Sequence, residues 1–152
     1  MNENAELLTH IYETAEMGSY TITTLLTKIK KKENKIKYIL EEEIKEYERY
    51  IKKSEKLLSE YDVEPKKSSL MAKISSNMGI MMETILDNSD PALAQMLVEG
   101  ITMGINIITA KVSSYKMRAD KKVIKFAKNF VKFQENEVEK LKAFMWYINV
   151  FN

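Results

Sequence analysis

The chain has 152 residues, of which 45% are hydrophobic and 30% are charged, and it contains only 4 Gly and 2 Pro. This composition excludes an all-β protein and a disordered one. It predicts one all-α domain over residues 1–152. Its 24 basic and 22 acidic residues leave a net charge of +2, and only Arg49 and Arg118 are arginines, so neither nucleic acid nor an anionic membrane is a favoured partner. There is no cysteine, which excludes disulfides, thiolate zinc sites, iron–sulfur clusters and cysteine nucleophiles.

The first helix is predicted from about Ala5 to Lys31. Apolar or small residues recur along one side of it at spacings of three and four: Leu8, Ile11, Ala15, Gly18, Ile22, Leu25, Leu26 and Ile29. The single histidine, His10, projects away from this stripe and is predicted to be a surface residue. The opening MNENAELLTH lacks the basic and apolar regions of a secretion signal, and no 18 apolar residues run together, so we expect a cytoplasmic protein without a membrane span.

The segment KIKKKENKIK separates the first helix from the second. It is typical of a solvated turn, because the acidic EEEIKEYE just downstream balances its charge, although a phosphate-binding patch is an alternative. The second helix is predicted over Asn34 to Tyr61, with Asn34 as its cap. Its apolar face contains Ile36, Leu40, Ile44, Tyr47, Ile51 and Leu58. Glu43 lies about 30° from the centre of that face, and a buried carboxylate must find a partner or a proton.

A crossover follows the second helix. YDVEPKKSS, residues 61–69, is polar and contains a proline, as linkers do, and a short helix is predicted from about Leu70 to Leu86. Four methionines are concentrated there: Met71, Met78, Met81 and Met82. Adaptable packing is their favoured role, a protein-binding groove is the second, and thioether copper binding is a distant third.

The third helix is predicted from the cap Asp90 and Pro91 to about Met117. Gly100 and Gly104 lie on its apolar side, and each weakens a helix by about 1 kcal/mol relative to Ala. Because Gly18 lies near the midpoint of the first helix, we predict that it faces this glycine pair and allows a close approach of the two helices. A space for a small apolar ligand is the alternative.

The fourth helix is predicted from Asp120 to about Tyr147. Gln134 projects to the middle of its apolar face, whereas Glu135 and Glu137 project to the margins. The tail MWYINVF extends an apolar surface beyond the expected end of the bundle, so we expect it to pack against something and predict a homodimer.

Short turns join the first helix to the second and the third to the fourth, while about 30 residues separate the two pairs. This pattern predicts an antiparallel four-helix bundle with one long crossover. From Leu7 to Met145 the arrangement resembles the ferritin-like superfamily, which includes ferritins, rubrerythrins and several small bacterial branches. That resemblance implies a mid-bundle site where a Glu and a Glu-x-x-His pair from each half bind two iron or manganese ions.

The sequence departs from this metal-binding pattern. With one histidine, neither Glu-x-x-His pair is possible; the second helix offers Glu43 and Glu46 there, and the fourth offers Glu135 and Val138. Because the second and fourth helices are neighbours in this fold, we predict that Glu43 and Gln134 meet across the core as the remnant of a dimetal site. A buried hydrogen bond that fixes the register of the bundle is favoured. The alternative is a carboxylate-only iron or manganese site at Glu43, Glu46 and Glu135.

These patterns favour a non-enzymatic structural or protein-interaction role. The hydroxyls of SYTITT have no histidine or cysteine base to activate them, and no glycine-rich phosphate loop occurs. The rival function is a metal-dependent oxidase or peroxide-handling protein. A third is a DNA-coating protein that uses Lys30, Lys31 and Lys32.

Overall fold

The computed structural model describes residues 2–29, 34–65 and 89–151, with side chains as far as Met145. These residues form four α-helices and no strand: α1 (Glu3–Lys28), α2 (Lys37–Ser59), α3 (Asp90–Tyr115) and α4 (Lys121–Phe151). The all-α prediction is therefore confirmed. The predicted short crossover helix, its four methionines and the lysines at positions 30–32 lie outside the described residues.

The helix starts follow capping rules, with two changes from the sequence predictions. Asn2 caps α1, accepting a hydrogen bond on Oδ1 from the N–H of Ala5 at 2.8 Å. Asn34 does not cap α2; its Nδ2 instead donates to Oδ1 of Asp90 at 2.8 Å. The cap of α3 is Ser89 rather than Asp90, because the Ser89 hydroxyl accepts from the N–H of Ala92.

Polar contacts show which helix ends lie together. At one end of the molecule, Lys111 near the end of α3 pairs with Glu6 at the start of α1, with 3.3 Å between the charged atoms. Lys122 at the start of α4 pairs with Glu60, just after α2, at 2.8 Å. At the other end, the N–H of Lys35 donates to Asp90 at 2.9 Å, which ties the α1–α2 turn to the start of α3. The end of α2 and the start of α3 therefore lie at opposite ends of the molecule.

The core is built from buried apolar residues of all four helices. α1 packs mainly against α2 and α3 mainly against α4, while α1 also touches α3 and α4, and α2 touches α4 least of all. The predicted stripe of α1 is buried, including Leu8, Ile11, Ala15, Ile22 and Leu25. Between α2 and α4 the space is filled by aromatic rings, since Tyr50 lies 4.9 Å from Phe130 and 5.4 Å from Phe133 between ring centroids.

α3 is the most apolar helix. It is the only one among the described residues long and apolar enough to cross a membrane by length and composition, a test that core helices of soluble proteins also pass. Yet only 22% of its most apolar 18-residue stretch is buried.

Candidate functional site

A cluster of buried polar side chains lies between α2 and α4. Glu43 on α2 is 4% exposed, and Gln134 on α4 is also buried, where the helical projections place both. Glu137, projected to the margin of its helix face, is in fact 2% exposed. It follows Gln134 by three residues, and that spacing places the two side chains on the same side of α4, but the projection of α4 alone does not decide whether Glu137 is buried.

Tyr47 connects the members of the cluster. Its hydroxyl donates to Oε1 of Glu137, with 2.5 Å between the oxygens, and Gln134 hydrogen-bonds the same hydroxyl. Glu43 lies on the other side of Glu137. The cluster is thus a chain in the order Gln134, Tyr47, Glu137, Glu43. The predicted direct hydrogen bond between Glu43 and Gln134 is not formed, since neither carboxyl oxygen of Glu43 has a hydrogen-bond partner among the described residues.

The cluster has more acceptors than donors. Among the described residues, no N–H or O–H group donates to either carboxyl oxygen of Glu43, to Oε2 of Glu137 or to Oε1 of Gln134. Burial and the neighbouring Glu137 raise the pKa of Glu43 well above its ordinary value of 4.5, and burial raises the pKa of Glu137 as well. The two carboxyl groups therefore hold a proton at neutral pH, and this proton supplies a donor that the other side chains do not.

The carboxyl pair lines a surface groove of about 470 Å³. Lys140 lies on the wall of the groove, and its positive charge partly opposes the rise in pKa of both carboxyl groups. Glu46 also lines it, but its carboxylate pairs with Arg49 at 2.9 Å. Burial and hydrogen bonding, rather than a fixed counter-ion, therefore govern the carboxyl pair.

The structure does not gather the predicted metal ligands. Glu135 is exposed on α4 and does not line the groove, while Glu43 is buried at its wall. Within the described parts of the chain, no group of three or more His, Cys, Asp or Glu residues is placed to hold a metal ion. His10 differs from its prediction as well: it is half-buried, its Nε2 atom has no hydrogen-bond partner in the described part of the chain, and burial lowers its pKa below 6.5.

The three helical glycines do not form the predicted seam. A Cβ atom on Gly18 would lie 2.7 Å from two ring carbons of Tyr47, so Gly18 makes room for that ring and not for α3. A Cβ atom on Gly104 would meet Thr14 at 3.6 Å and Gln134 at 3.8 Å. Gly100 is exposed, and a Cβ atom there would meet nothing within 4 Å. The sequence located Gly18 correctly on a buried stripe but gave no indication of its partner.

Comparison of the chain with family models, with curated proteins and with solved structures found no match.

Proposed function

We propose that this protein is a non-enzymatic, cytoplasmic helical-bundle protein of ferritin-like arrangement, with a structural or protein-interaction role. The observation that carries the proposal is the chain of side chains through Tyr47 and Glu137, which occupies the middle of the bundle with hydrogen bonds and a retained proton. In ferritin-like catalysts that position holds two metal ions.

The helix ends support the ferritin-like arrangement. α1 and α3 run in opposite directions, as the Glu6–Lys111 ion pair requires, and so do α2 and α4, as the Glu60–Lys122 pair requires. The chain must then travel the length of the bundle between α2 and α3. Two antiparallel hairpins joined by one long crossover are the ferritin-like topology.

The side chains at the site support a protein without metal chemistry. A dimetal site of this class draws a carboxylate from each of the four helices. Beside Gln134, α3 presents Gly104, and α1 contributes the methyl group of Thr14. The carboxyl pair of Glu43 and Glu137 is stabilised by a proton, which a metal ion would have to displace.

Elemental analysis tests this proposal directly. The protein is purified from cells supplemented with iron and manganese, together with the Glu43→Gln variant and a control, Glu139→Gln, that makes the same change at an exposed position of α4. We expect well below one metal ion per chain in all three proteins. Near-stoichiometric metal in the wild type and the control that is lost in Glu43→Gln would overturn the proposal in favour of a metal-dependent oxidase.

A further inference from the structure

α3 carries an exposed stripe without charge along the face turned away from the core. Met103 is 67% exposed and Ile107 is 44% exposed, although both are large apolar side chains. They belong to a row of exposed residues spaced alternately by three and four, which we name the α3 outer stripe: Gly100, Met103, Ile107, Ala110 and Ser114. This spacing is the seam pattern of a two-helix coiled coil.

The stripe differs in charge from the exposed surfaces of α2 and α4. Of the exposed residues within α3, only Glu99 is charged. On α2 the exposed residues are all charged except Tyr38 and Ser59, and the exposed residues on the described part of α4 are mostly lysine and glutamate. Two large apolar side chains next to each other in an exposed row without charge make this face a candidate interaction surface.

Small residues make the stripe suitable for close helix packing. Gly100 has open space where its side chain would be, so no contact among the described residues explains a residue that weakens the helix by about 1 kcal/mol. Ala110 and Ser114 are also small and exposed. A neighbouring helix can therefore approach the backbone of α3 closely at three points of the stripe.

We propose that the α3 outer stripe packs against the same stripe of a second copy of this chain. This inference rests on the interaction role proposed above and names the partner. In an antiparallel pair related by a two-fold axis, Met103 lies against Ile107 of the other copy, and Gly100 lies against Ala110 of the other copy. Large residues then fill the centre and small residues permit close contact on both sides.

Complementarity of charge and spacing selects a second copy as the partner. A partner helix must present uncharged residues with the same spacing, since a charge placed opposite Met103 would lose its water without gaining a counter-ion. The α3 outer stripe itself meets that requirement. The exposed faces of α2 and the described part of α4 carry charges, and the exposed residues of α1, which are Glu13, Met17, Thr23 and Thr27, do not keep the spacing. α3 has 26 residues, and a helix of that length extends about 39 Å. One helix contact lies below the roughly 800 Å² per partner of a standard interface, so we expect a dimer that dissociates at micromolar concentration.

Sedimentation velocity across a concentration series tests the dimer. We expect Met103→Glu to raise the dissociation constant at least about tenfold, because two carboxylates are placed in an uncharged seam. Tyr38→Glu is the matched control, since Tyr38 is an exposed hydrophobic residue of similar exposure, 61%, on α2. A wild type that is monomeric at high micromolar concentration, or a dimer that Met103→Glu leaves intact, would overturn the inference.

Cross-linking tests which residues pair in the dimer. Because the chain has no native cysteine, only the introduced cysteines can react. We expect a Met103→Cys, Ile107→Cys double variant to form a covalent dimer with a short bismaleimide, and a Lys128→Cys variant on α4 to remain monomeric. In a Met103→Cys, Met78→Cys variant, a cross-link within one chain would instead show that residues 66–88 cover the stripe.

Binding of monomers to anionic phospholipid vesicles that is lost in Met103→Glu would identify a membrane partner. Either result would overturn the inference, while the metal analysis would still decide the proposed function.

Discussion

Replacing Gly18 with Ala tests the packing at the centre of the bundle. The added Cβ atom would lie 2.7 Å from Cε1 and Cζ of Tyr47, about 0.7 Å short of the 3.4 Å at which ordinary contact begins. The Tyr47 ring cannot move away easily, because its hydroxyl is hydrogen-bonded to Glu137 and the ring packs edge-to-face with that of Phe133, with 5.0 Å between the ring centroids. Overpacking of a core costs about 2–3 kcal/mol in such a case, and the helix gains about 1 kcal/mol from Ala over Gly. We therefore expect a net loss of about 1–2 kcal/mol.

Gly100→Ala is the matched control for this substitution. It makes the same chemical change in a helix, but none of the described residues lies within 4 Å of the new atom, so in the monomer, at protein concentrations well below micromolar, the variant should gain about 1 kcal/mol. Urea denaturation followed by circular dichroism should then separate the two midpoints by about 1 M. In a Tyr47→Leu background the penalty at Gly18 should disappear. If Gly18→Ala raises the midpoint as much as Gly100→Ala does, Tyr47 does not occupy the space beside Gly18.

Three further substitutions test individual contacts by the same denaturation assay. Asp62, in the turn just after α2, has a φ of 58°, in the left-handed region, so Asp62→Gly should stabilise the protein by about 0.5–1 kcal/mol, and a loss would contradict this conformation. Ser54 is fully buried and its hydroxyl has no hydrogen-bond partner among the described residues, so Ser54→Ala should stabilise by about 1 kcal/mol; destabilisation would reveal a partner for the hydroxyl. Tyr47→Phe removes the donor to Glu137 and should destabilise by about 1–3 kcal/mol, whereas a neutral effect would show that this hydrogen bond is not formed.

The helices could be predicted from the sequence because apolar spacing depends on one helix at a time. Leu8, Ile11 and Ala15 repeat every three or four residues, and all three are buried. The same reasoning identified Glu43, because it lies close to the centre of an apolar face. It failed for Glu137, which lies at the margin of its own face. Whether a residue at the margin of an apolar face is buried depends on the position of the neighbouring helix. The projection of a single helix contains no information about that position.

For a related reason, the sequence alone could not predict which residues contact each other across the core. Gly18, Gly100 and Gly104 share a residue type and a helical setting, and the prediction grouped them on that basis. In the structure one glycine accommodates Tyr47, one lies beside Thr14 and Gln134, and one faces open space. The rotation of each helix about its own axis decides between these outcomes, and it depends on the packing of all four helices together.

The proton held by Glu43 and Glu137 offers the most direct test of the proposed site. Because the pKa of Glu43 is raised on folding, the folded protein keeps a proton that the unfolded chain releases above its ordinary pKa of 4.5. The stability contributed by that proton is fully present below this value and is lost as the pH rises toward the raised folded pKa.

The measurement is the free energy of unfolding of the wild type and Glu43→Gln from about pH 6.5 to about pH 8. Comparison of the two proteins cancels the titration of His10, which is common to both. We predict that the advantage of Glu43→Gln over the wild type grows by about 1.4 kcal/mol per pH unit, the value for one proton. Parallel profiles would contradict the account, because they would mean that Glu43 does not carry the proton of the pair in the folded protein.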